Sequence, residues 1–77
     1  MNNRDKIFNI KTFHVLQDYK TRLWNIKVDL GKEILGTFQT RDEAVEKAME
    51  ILKADKSSQK RLIIRKPGGS WEKIINE

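Results

Sequence analysis

Apolar residues along this chain follow two different periods, and the change between them outlines a fold. In LWNIKVDL, residues 23–30, Trp24, Ile26, Val28 and Leu30 alternate with Asn25, Lys27 and Asp29. That alternation belongs to a strand with one buried face, because successive side chains leave a strand on opposite sides. In RDEAVEKAMEILKA, residues 41–54, apolar positions recur at Ala44, Val45, Ala48, Met49, Ile51 and Leu52. This spacing makes a stripe down one side of a helix. Thr40 precedes it and Glu43 follows three residues later, the pattern of a capping box. Asp42, Glu43 and Glu46 sit where the positive end of the helix dipole favours acids, and Lys53 and Lys56 sit near the other end. One helix is therefore predicted over about residues 40–55.

Shorter signals surround these two. Phe13 to Leu16 form a β-prone run, and DYKTR after it reads as a turn. DLGKE is the next turn, with Gly31 free to take positive φ. ILGTFQ is a third strand in which Gly36 marks close packing or a bulge. RLIIRK and WEKII are a fourth and fifth strand joined through PGGS, a turn sequence. The first ten or so residues have only isolated apolar positions and read as a flexible arm or an edge strand. The order β-β-β-α-β-β predicts a two-layer α+β domain, an antiparallel sheet with one helix packed on one face. The C-terminal hairpin would extend the sheet or add to the core. Trp24, Ile26 and Val28 should meet Phe38, Ala44, Ala48, Ile51, Leu52, Leu62 and Ile64 in that core.

Composition narrows the functional classes. Seventy-seven residues make a single domain, 1–77, with a thin core. There is no cysteine, which excludes disulfides, thiol catalysis and cysteine zinc sites. One histidine, His14, excludes a multi-histidine metal site. No apolar run approaches the roughly 20 residues that span a bilayer, and MNNRDKIFNIKTF lacks the apolar stretch of a signal peptide. A soluble cytoplasmic protein is expected.

Charge changes the picture further. The formal net charge is +5. Residues 1–30 carry six Lys/Arg against three acids, residues 31–56 five against six, and residues 57–77 five against two. The surplus positive charge therefore flanks the helix. Such an asymmetry suits an anionic partner.

Two resemblances rest on particular residues. Trp24, Gly36, Phe38, Thr40, Glu43, Ala44 and Ala48 resemble the three-strands-plus-helix module of AP2-type domains and of the arm-binding domains of phage-type integrases. That resemblance, over residues 23–52, implies DNA binding with the exposed sheet face in the major groove. His14-Val15, Trp24, Ile26-Lys27, Thr40, Glu43-Ala44, Ala48, Leu62 to Ile64 and Gly68-Gly69 resemble the small uncharacterised family DUF2188. This second resemblance covers almost the whole chain and includes the C-terminal hairpin. It implies a fold and no established activity.

No catalytic constellation is present. His14 stands alone and reads as a half-exposed strand residue. Asp18, Asp29 and Asp42 have no spacing suited to metal ligation or paired acid–base work. KPGGS precedes a strand, so its glycines read as a turn and not as a phosphate loop. The expectation is a non-enzymatic binding protein without cofactor or metal. In the fourth strand Leu62 and Ile64 should face the core, leaving Arg61, Ile63 and Arg65 outward. Lys20, Arg22, Lys27, Arg61, Arg65 and Lys66 are the candidate nucleic-acid contacts, with Lys60 and Lys73 nearby. Outward Trp71 or Tyr19 would add stacking. The alternative is a protein-binding regulator or inhibitor, homodimeric through an edge strand, with Ile63 exposed on that edge.

Overall fold

The computed structural model describes residues 10–29, 33–68 and 70–76. The expected N-terminal arm, the packing of Leu30, the turn glycine Gly31 and Gly69 lie outside the described residues. Among the described residues, five strands and one helix follow the expected order: β1 (Lys11–Gln17), β2 (Trp24–Val28), β3 (Ile34–Phe38), α1 (Arg41–Ala54), β4 (Lys60–Arg65) and β5 (Trp71–Asn76). The strands form one sheet in the order β3-β2-β1-β4-β5.

The fold is α+β with two layers, and the sheet is mixed. β1 pairs with β2, β2 with β3, and β4 with β5, all antiparallel, whereas β1 and β4 run parallel. The parallel pair arises because α1 carries the chain from edge strand β3 back across the sheet. β4 then starts at the same end as β1, and Lys11 N–H donates to Gln59 O where they begin, at 3.1 Å. The hairpin extends the sheet on the far side of β1. β4 is thus an inner strand, and the edges are β3 and β5. This corrects the expectation of Ile63 exposed on an edge strand. Ile63 is buried between neighbours on both sides.

The capping box starts α1. Glu43 N–H donates to Thr40 Oγ1 at 3.2 Å, and Thr40 N–H donates to Glu43 Oε1 at 3.2 Å. Ala44, Ala48 and Leu52 are its buried stripe. They meet Phe13, Val15, Trp24, Ile26, Leu62 and Ile64 from the sheet, with Val28, Phe38, Val45, Met49, Ile51 and Ile75 packed around them. Every residue expected in the core is in it or packed against it, with Val28, Phe38 and Ile51 at its margin, and Phe13 and Val15 of β1 join it without having been expected there. At the helix end Asp55 accepts from Lys11 Nζ at 2.9 Å and from Ser57 N–H at 3.1 Å. The Lys11 and Ser57 hydrogen bonds hold its carboxyl well below the ordinary carboxylate range, at about 2.

Both edge strands carry a bulge. The β2–β3 ladder steps from Ile26↔Gly36 to Lys27↔Ile34, which leaves Leu35 as the extra residue. Gly36 is required there for space as well: a Cβ on it would sit 2.9 Å from Phe38 Cε2. Both meanings expected of Gly36, close packing and a bulge, hold. The β4–β5 ladder steps from Ile64↔Lys73 to Arg65↔Trp71, which leaves Glu72 as the extra residue. Among the described residues no helix is long and apolar enough to cross a membrane.

Candidate nucleic-acid interface

Among the described residues α1 covers one face of the sheet and no element covers the other, and strand alternation decides what that open face presents. Phe13, Val15, Ile26, Leu62 and Ile64 point to the helix. Their neighbours Thr12, His14, Asn25, Lys27, Arg61, Ile63 and Arg65 therefore point away. Three rows run across this open face. The middle row is Ile34, Lys27, His14, Ile63 and Ile74, one residue from each strand. On one side of it lie Thr12, Arg61 and Asn76. On the other lie Thr37, Asn25 and Leu16, with Arg65 and Trp71 paired on β4 and β5.

The bulges shape this face. Without them Ile34 and Trp71 would alternate onto the helix side with Gly36 and Lys73. The extra residue in each edge strand turns them instead onto the open side, opposite Lys27 and Arg65. Glu72 goes the other way and meets the first residue of α1, with Arg41 Nη2 to Glu72 Oε2 at 3.1 Å. Trp71 is left 62% exposed, and Ile34 and Ile74 are exposed as well. The sequence pattern missed Ile34 and Ile74 as surface residues. The legible signal for Ile34 was the glycine at position 36, which marks a bulge without saying which residue it turns.

Of the six candidate cations, Lys27, Arg61 and Arg65 belong to strands of the open face. Lys20 and Arg22 lie in the turn between β1 and β2, and Lys66 follows β4, so all three border the same end of the sheet as Arg65. Arg22 has a φ of 64° and its N–H closes the turn onto Asp18 O at 2.7 Å. Among the described residues, Lys20, Arg22, Lys27, Arg61 and Lys66 form no ion pair. Arg61 is oriented by Nε donating to Thr12 Oγ1 at 3.1 Å. Lys60 and Lys73 fall away from the face. Lys60 Nζ donates to Asp55 O at the helix end, and Lys73 pairs with core-facing Ile64.

Acidic side chains are mostly elsewhere or engaged. Asp42, Glu43, Glu46 and Glu50 ride on α1, on the opposite layer. Asp29, at the end of β2 with a φ of 53°, uses Oδ1 to accept Thr12 N–H at 2.9 Å. Asp18 accepts Lys20 N–H at 3.0 Å inside its turn.

His14, which the sequence reads as half-exposed, is 9% exposed on the central strand. Burial first, then Arg65 and to a lesser degree Arg61, lower its pKa below the ordinary 6.5, while Asp29 opposes them. Lys27 and Ile63 stand beside it in the ladders. A lowered histidine pKa means that the unfolded chain binds the proton more readily. Its stabilising contribution is complete above about pH 6.5 and is lost as pH falls from there through the folded-state value. The urea midpoint should therefore drop between about pH 7.5 and pH 5.5, a window above carboxylate titration. His14→Gln should flatten that slope, and an unchanged slope would refute the assignment.

Among the described residues no three of His, Asp and Glu gather as a metal site. No curated protein matches the chain, and no solved structure does. Residues 13–76 match the family described as an uncharacterized protein conserved in bacteria, DUF2188, and the chain belongs to that family.

Proposed function

We propose that this domain is a non-catalytic, cytoplasmic nucleic-acid-binding protein that engages phosphates through the open face of its sheet. The observation that carries the reading is the separation of charge between the two layers. α1 carries four acids against three bases, while Lys27, Arg61 and Arg65 stand on the open face, with Lys20, Arg22 and Lys66 at its end. Lys20, Arg22, Lys27, Arg61 and Lys66, which form no ion pair among the described residues, keep their charge available to a polyanion, and the counterions released on contact supply most of the affinity. Salt titration of labelled oligonucleotides tests this. If the six cations each meet a phosphate, the log–log slope is about −4 on a single strand and about −5 on a duplex. Affinity should then fall about a hundredfold or more between 50 and 200 mM salt. No binding at low salt would reject the reading.

A second reading has its own support. β5 is an edge strand with Trp71 and Ile74 exposed, and such an edge suits pairing with a protein partner or a second copy of the chain. An apolar interface of this kind should persist as salt rises, and a homodimer would show as twice the monomer mass in solution.

A further inference from the structure

Resting on the nucleic-acid reading, we propose that the ligand is a single strand, lying across the open face with a base stacked on Trp71. Width is the first reason. Four spacings of about 4.8 Å separate the five strands, so the face is about 19 Å across. A duplex major groove is about 12 Å wide and admits a helix or a two-stranded ribbon. The face-on docking implied by the AP2-type resemblance suits a three-stranded sheet. β4 and β5 extend this one on the far side of β1 and take it beyond that fit.

The second reason is what stands on the face. The bulge in β5 turns Trp71 out beside Arg65 and leaves the residue 62% exposed. Tyr19, 79% exposed, lies next to Lys20 in the turn at the same end of the sheet. Exposed aromatic rings interleaved with cations are of use to unpaired bases, which offer a π-face beside each phosphate. A duplex hides those faces in its own stack. Ile74, exposed in the middle row of the same strand, adds apolar surface beside Trp71. Charge complementarity alone would fit either form of nucleic acid. The projecting indole and the breadth of the sheet select the single strand.

The test compares short single-stranded DNA, single-stranded RNA of the same sequence and the corresponding DNA duplex at low salt. The proteins are the unmutated chain, Trp71→Ala and Trp71→Phe. Trp71 fluorescence should be quenched by a single strand, with Trp24, 7% exposed, as the silent reference. Either single strand should bind at least about tenfold more tightly than the duplex, and Trp71→Ala should weaken it about tenfold. Trp71→Phe, which keeps an aromatic face, should retain most of the affinity. Because the indole is largely exposed, Trp71→Ala should fold normally, and far-ultraviolet circular dichroism checks this. Tighter binding to the duplex, or single-strand binding indifferent to Trp71→Ala, would overturn this inference and leave the nucleic-acid reading standing. No binding to any of the three would overturn both.

Discussion

Trp24→Ala should lose about 3–5 kcal/mol of stability. The indole is 7% exposed, lies across the ladder from Phe38, and belongs to the core cluster with Ala44, Ala48 and Leu52 of α1. Truncation removes the whole indole from this cluster and leaves a void that the surrounding side chains fill only in part. A chain of 77 residues is expected to have about 4–12 kcal/mol in total, which makes this loss a large share. At about 4–8 °C per kcal/mol for a domain of this size, the Tm should fall by 12 °C or more. Trp24→Phe should lose much less. An unchanged Tm for the alanine variant would mean that the ring is not part of the core.

Arg61→Glu combined with Arg65→Glu should abolish nucleic-acid binding while the fold survives. Both side chains leave β4 on the open face, between buried Leu62 and Ile64 on the other. Reversal removes two phosphate contacts and adds two repulsive charges in mid-face. The loss should be about a hundredfold or more at low salt. The milder pair Arg61→Gln and Arg65→Gln should lower the magnitude of the log–log salt slope by about 1.4 on a single strand. Lys20→Gln, on the bordering turn, should remove about half that. The Arg61 bond to Thr12 Oγ1 is half-buried, so circular dichroism and the Tm accompany the binding assay. Undiminished binding by the double glutamate variant would move the interface off this face.

The sequence by itself determined every element and the two faces of most of them. Alternation through Trp24, Ile26 and Val28 and the stripe through Ala44, Ala48 and Leu52 are local signals, since each periodicity follows from backbone geometry alone. Thr40 with Glu43 set the helix start for the same reason, and Leu62 with Ile64 oriented β4 and so sent Arg61 and Arg65 outward. Three matters were decided only by tertiary structure. The parallel pairing of β1 with β4 depends on where α1 delivers the chain, which no residue of β4 encodes. The burial of His14 and Ile63 goes with their place on inner strands, each flanked by a paired strand on both sides. The exposure of Ile34 and Trp71 depends on one extra residue in each edge strand, and a shift of one residue reverses the side on which a strand residue lies. A period of two read along one strand is blind to such a shift, because a bulge is defined by the partner strand it fails to match.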